Sequence, residues 1–125
     1  ILSRDYELDF ISKVFRHYEE KGLDLVYCAH RDESDEKIEL IGALGPIEVV
    51  RPELPAELFV IEHDRAISEI GAAYSSVVNN LSLMFPDKPL TSFRLNHEAI
   101  NPVNREAIDN IYRYFAQNEI RVESF

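Results

Sequence analysis

The sequence predicts a mixed α/β domain of Rossmann-like type, a three-layer arrangement in which a mostly parallel sheet of about four strands is flanked by helices. Two observations lead there. Short apolar runs rich in β-forming residues alternate along the chain with longer segments of helical apolar spacing. Each strand-like run is separated from the next by enough chain for a helical crossover, the connection that parallel neighbours require.

Residues 4–21 place Tyr6, Phe10, Val14 and Tyr18 at steps of about four, with Leu8, Ile11 and Phe15 beside them, and so read as an amphipathic helix stopped at Gly22. Residues 23–29 (Leu-Asp-Leu-Val-Tyr-Cys-Ala) form the first strand. Ser34 and Asp35 can cap a helix over 37–44, in which Ile38, Ile41 and Leu44 share a face before Gly45-Pro46 ends it. Residues 47–50 (Ile-Glu-Val-Val) are the second strand, and Pro55 suits the first turn of a short helix over 56–63. Residues 66–72 read as the third strand. Val77, Leu81 and Met84 or Phe85 then recur at helical spacing up to Pro86, and residues 90–95 form the fourth strand. After a polar loop over 96–101 and Pro102, the segment 103–117 carries Ile108, Ile111, Tyr112 and Phe115 on one face of a last long helix.

The length of 125 residues fits one domain, taken as 1–125, and a 46% apolar content is enough for its core. No apolar run approaches the roughly 20 residues needed to span a bilayer. Twenty-three acids against thirteen bases leave a net charge of −10, which opposes binding to nucleic acid or to anionic lipid. A single cysteine, Cys28, excludes an intramolecular disulfide and a zinc site of several thiolates, and points to a reducing, cytoplasmic setting. The start has neither a basic-then-apolar leader nor an initiator Met, so the chain reads as a piece of a longer protein. Any membrane association is left to parts outside it.

Ligands of open parallel sheets bind beyond the carboxyl ends of strands, where helix N-termini favour anions. Three positions meet that rule. His30-Arg31 follows the first strand and can bring positive donors to a phosphate, or can be an ordinary surface loop. Glu57 follows the second strand. Its carboxylate can accept ribose hydroxyls, or simply answer the helix dipole. Ser75-Ser76 follows the third, where hydroxyls and free N–H groups can hold a phosphate or serve only as an N-cap. Glu62, His63 and Asp64 fall at the opposite edge and read as surface, as does His17.

No Gly-x-Gly-x-x-Gly, Gly-Lys-Ser/Thr or Gly-x-Ser-x-Gly motif occurs, which removes the usual support for a dinucleotide oxidoreductase, a P-loop NTPase or an α/β-hydrolase. His-x-x-x-His metal spacing is missing, and Ala29-His30 and Ala72-Ala73 stand where a receiver domain needs acids.

The order His30-Arg31, then Pro55-Ala56-Glu57, then Tyr74-Ser75-Ser76 with Asn80 in the next helix, resembles the C-terminal half of bacterial sialyltransferases and polysialyltransferases. The stretches 26–33, 45–48, 55–58 and 70–81 carry the likeness. The resemblance implies one lobe of a two-lobe GT-B enzyme that uses CMP-sialic acid and transfers sialic acid to a glycan acceptor, without metal or cofactor. It further implies that His30 assists departure of the donor phosphate, with Arg31 beside it. By the same likeness Glu57 holds the ribose, Ser75 and Ser76 bind the phosphate, and Gly45, Pro46 and Ile47 flank the cytosine. Related families often have His-Pro where this chain has His30-Arg31. The general base would come from the N-terminal lobe, leaving this lobe inactive alone. The alternatives are the donor lobe of another nucleotide-sugar or CDP-alcohol enzyme, and a non-catalytic Rossmann-like interaction module.

Overall fold

Side chains that substitute for missing backbone partners set where the helices begin. The computed structural model describes residues 3–30, 32–53, 55–73 and 77–125. Its elements are α1 (Arg4–Glu20), β1 (Leu25–Cys28), α2 (Asp35–Gly42), β2 (Ile47–Val50), α3 (Ala56–His63), β3 (Ile70–Ala72), α4 (Val77–Met84), β4 (Leu90–Phe93), α5 (Pro102–Gln117) and β5 (Arg121–Glu123), with 3-10 turns at Asp64–Ala66 and His97–Ala99. Ser3 Oγ accepts from the Tyr6 N–H at 3.2 Å ahead of α1, and Ser34 Oγ accepts from the Lys37 N–H at 3.2 Å ahead of α2. Asn101 Oδ1 does the same for the Val103 N–H at 3.1 Å, with Pro102 in the first turn of α5.

Two helices end in the same left-handed turn. After α1, Gly22 has φ 76°, its N–H donates to Glu19 O at 2.9 Å, and the Leu23 N–H donates to Tyr18 O at 3.1 Å. After α5, Glu119 takes φ 61° in the same pattern, with the Ile120 N–H donating to Phe115 O at 2.9 Å.

The chain divides into two compact units, Ser3–Phe59 and Val60–Phe125, the division falling within α3. In Ser3–Phe59, β1 and β2 are parallel, in a register that runs from Leu25 opposite Ile47 to Cys28 opposite Val50. Leu25, Tyr27 and Val49 pack with buried Ile47 against Phe15 of α1 and Ile41 of α2, joined by Leu8, Ile11 and Leu44. Val26 and Cys28, on the other face of β1, are exposed.

In Val60–Phe125, β4 lies between β3 and β5, all parallel, with Ile70 opposite Leu90 and Thr91 opposite Arg121. Its Thr91, Ser92 and Phe93 are buried. Val78 and Leu81 from α4 and Ile108, Tyr112 and Phe115 from α5 complete the core. Buried polar atoms here find partners, as Ser92 Oγ donates to Ala73 O and Tyr112 Oη accepts from the Leu95 N–H at 3.0 Å.

The protein is thus a mixed α/β chain with parallel sheets flanked by helices, consistent with the Rossmann-like class. Its strands differ from the expectation in grouping. Instead of one sheet of about four strands there is a two-stranded sheet in one unit and a three-stranded sheet in the other. The fifth strand, at 121–123, was not expected, and residues 64–66 coil into a 3-10 turn before a third strand shorter than the 66–72 read from sequence.

Candidate functional site

At the carboxyl edge of the two-stranded sheet, the Ala29 N–H donates to Val50 O at 2.8 Å and so extends the ladder one residue past β1. His30 is then the first residue off the sheet. The chain turns back at once, with the Glu33 N–H donating to His30 O at 3.0 Å, and Ser34 starts α2.

Glu33 organises this turn. Its carboxylate accepts from the His30 N–H at 3.2 Å and from Tyr27 Oη at 3.1 and 3.2 Å, and it stands 3.6 Å from Lys37 Nζ. Lys37 also pairs with Glu7 of α1. Burial, then the charge of Glu33 and its hydrogen bond, push the Tyr27 phenol far above the ordinary tyrosine range, so it is a lasting neutral donor. Burial and the Glu33 charge also push the Cys28 thiol up, which makes it a poor nucleophile at neutral pH. From the loop after β2, Arg51 pairs with Asp35 at 2.8 Å and donates to Glu33 O, tying the two loops of this edge together.

The His30 ring is 67% exposed in its side chain. Its Nδ1 accepts from the Asp32 N–H at 3.1 Å, with Asp32 Oδ2 3.5 Å away. Nδ1 is therefore engaged. Among the described residues Nε2 has no protein partner, so the free nitrogen of an exposed ring stands at the carboxyl end of a parallel strand.

Glu57 lies in the first turn of α3, half-buried, on the chain that leaves the same edge through β2. Its carboxylate forms no hydrogen bond or ion pair among the described residues. Gly45, Pro46 and Ile47 are not brought together with His30. They precede or open β2 at its amino end, four paired residues away along the ladder. Ile47 is core, and a methyl at Gly45 would stand 2.7 Å from Phe15 Cε1, so this turn is shaped by packing. Arg31, Ser75 and Ser76 lie outside the described residues, although α4 does begin at Val77 directly after the expected serines.

Sequence reasoning assigned no role to Tyr27, Asp32, Glu33 or Lys37. Their signal was Glu33 placed just ahead of the Ser34 cap, with a tyrosine facing the core side of β1. His97 was also passed over, as part of a polar loop. Its Nε2 lies 3.1 Å from Asp109 Oδ2 and its Nδ1 3.8 Å from Glu98 Oε1, so both nitrogens face carboxylates and the ring pins the loop to α5. At the amino edge of the three-stranded sheet is an open depression of about 300 Å³, lined in part by Ser68 and Phe85. Lys88 on its wall donates to Asp64 O at 3.0 Å and Ile67 O at 2.6 Å and pairs with Asp64 Oδ1 at 3.1 Å, which satisfies the ammonium. Among the described residues no group of three His, Cys, Asp or Glu can hold a metal ion, and no helix is long and apolar enough to cross a membrane.

Comparison with known proteins returns no match. No family model, curated protein or solved structure is found to be similar to the chain. The functional reading therefore rests on the carboxyl edge itself.

Proposed function

We propose that this chain is the donor-nucleotide-binding lobe of a sialyltransferase-like glycosyltransferase. One observation carries the reading: an exposed histidine at the carboxyl end of a parallel strand, with Nδ1 engaged and Nε2 without a partner among the described residues. In this mechanism Nε2–H of His30 hydrogen-bonds a phosphate oxygen of the CMP leaving group and stabilises the charge that grows there. Glu57, on the same sheet edge, accepts the ribose hydroxyls. Arg31 adds a donor to the phosphate, and a base from a second lobe activates the acceptor hydroxyl. The opposite-edge position of Gly45, Pro46 and Ile47 leaves the cytosine to other groups in this scheme.

A non-catalytic interaction module is the second reading. It is favoured by the way the bonds of the 30–34 turn close on themselves without a ligand. Titration of CMP into the protein, with UMP and CDP as controls, separates the two when followed by two-dimensional NMR. Selective shifts for CMP at the His30 and Glu57 amides, weakened in His30→Ala, are expected. No shift at millimolar CMP would favour the module, and a preference for UMP or CDP would move the assignment to another nucleotide-sugar or CDP-alcohol enzyme.

A further inference from the structure

We infer that Asp32 and Glu33 are positioning residues that hold the neutral His30 ring in its Nε2–H tautomer. The chemistry rests on donor and acceptor identity. A backbone N–H has only a proton to give, so the Asp32 N–H at 3.1 Å from Nδ1 requires that nitrogen to be unprotonated. The single proton of the neutral imidazole then resides on Nε2. A freely solvated neutral histidine exchanges between both tautomers, with Nε2–H the major one, whereas a hydrogen bond at one nitrogen fixes the choice.

The Asp32 N–H stays in place because the turn is braced from beneath. Glu33 grips the His30 N–H, its own N–H donates to His30 O, and its carboxylate is in turn held by Tyr27 Oη and approached by Lys37. These groups are well shielded, with side-chain exposures of 17% for Glu33 and 18% for Lys37. His30 itself is held through its backbone and Nδ1, while the rest of the ring is exposed. When the ring takes a second proton, Nδ1 becomes a donor, and the Asp32 carboxylate at 3.5 Å is there to receive it. Nε2 carries a proton in both states.

The purpose of this arrangement rests on the donor-lobe reading, since a fixed Nε2–H is what a phosphate oxygen needs. The arrangement itself does not. Nitrogen NMR of the imidazole rings in uniformly labelled protein, without ligand, reads the tautomer directly. At a pH where the ring is neutral, His30 should show an acceptor-type Nδ1 and a protonated Nε2. In Glu33→Gln, and in Tyr27→Phe as a milder variant that keeps the carboxylate, the His30 pattern should shift toward a tautomer mixture. The rings of His17, His63 and His97 serve as reporters of an intact fold and should stay unchanged. A wild-type His30 that averages between tautomers, or that carries its proton on Nδ1, overturns the inference. So does an unchanged His30 pattern in both folded variants. Adding CMP separates the two claims: a fixed tautomer whose Nε2 signal ignores CMP sinks the donor-lobe reading and leaves the positioning role standing.

Discussion

The two units of this chain are held together by different means. In Val60–Phe125 the central strand β4 has a neighbour on each side and buries Thr91, Ser92 and Phe93 in succession, whereas in Ser3–Phe59 the strand β1 only half-buries alternate positions. The first core is aromatic, built on Phe93, Tyr112 and Phe115. The second is a smaller cluster of Phe15, Ile41 and Ile47, continued by the partly buried chain Glu7, Lys37, Glu33 and Tyr27. Apolar burial stabilises in proportion to area, while a shielded ion pair gives back much of its attraction as desolvation. The lesson is a division of labour in which the thinly packed sheet edge carries the polar groups suited to chemistry.

The strongest way to break this comparison is to cut both cores. Phe93→Ala should cost about 3–5 kcal/mol, because a ring 1% exposed has no means of being replaced by water without a cavity. Urea unfolding followed by resolved amide signals from Val60–Phe125 reads the loss. Ile41→Ala, read on Ser3–Phe59 signals, should fall at or below the lower end of that range; an equal or larger loss there would reverse the ranking.

Gly45→Ala sharpens the comparison from the other side. The new methyl would meet Phe15 Cε1 at 2.7 Å and Cζ at 3.0 Å, and a ring wedged in a core gives way at a cost of about 1–3 kcal/mol. Stability of Ser3–Phe59 should drop while CMP-induced shifts at His30 persist. Loss of those shifts in a protein of unchanged stability would return this turn to the nucleotide site.

Much of this architecture was legible in advance because periodicity and punctuation agree. The five helices lie close to where apolar spacing placed them, and Ser34, Gly22 and Pro55 mark ends as caps and breakers do. The parallel, helix-flanked class followed from their alternation. Strand grouping did not, since ladder pairing depends on which edges meet and leaves no mark in runs of three or four residues. β5 was missed for a related reason: the turn before it uses Glu119 where a glycine would have announced a stop. His30 and Glu57 do stand at the carboxyl edge of the β1–β2 sheet, where the rule of strand ends places them. Glu33 was not anticipated, because a carboxylate that folds back under its own turn looks in sequence like any solvated acid. Gly45 to Ile47 were assigned to the nucleotide by resemblance, and the register of β1 with β2 sets them at the other edge.

Tyr27, half-buried and facing Glu33, gives Ser3–Phe59 its own response to pH. In the unfolded chain a tyrosine ionises near pH of about 10, whereas folded Tyr27 keeps its proton well above that value. The unfolded state then binds fewer protons than the native one, and the slope of stability with pH is negative. The contribution is complete below the unfolded value and is lost as pH rises toward the folded one. Ser3–Phe59 should therefore weaken on the alkaline side, with Cys28, also raised, adding in the same direction from the thiol range upward. Tyr27→Phe should flatten this alkaline limb in urea titrations at stepped pH. An unchanged limb would show that burial and Glu33 do not keep the folded phenol protonated in solution.

The smallest expected effect compares the two helix ends. Both make the same pair of backbone bonds, yet the left-handed residue is Gly22 after α1 and Glu119 after α5. An L-residue in that conformation pays for the approach of its Cβ to the carbonyl, roughly 1–2 kcal/mol. Glycine escapes that strain but loses more backbone entropy on folding, about 0.5–1 kcal/mol relative to alanine. The difference favours glycine, so Glu119→Gly should stabilise Val60–Phe125 by up to about 1 kcal/mol, and Gly22→Ala should destabilise Ser3–Phe59 by a similar amount. Urea midpoints of the two single variants read both signs. If Glu119→Gly lowers stability instead, the Glu119 side chain supports the start of β5 by more than its backbone strain costs, and the demands of β5 rather than of α5 shape the turn.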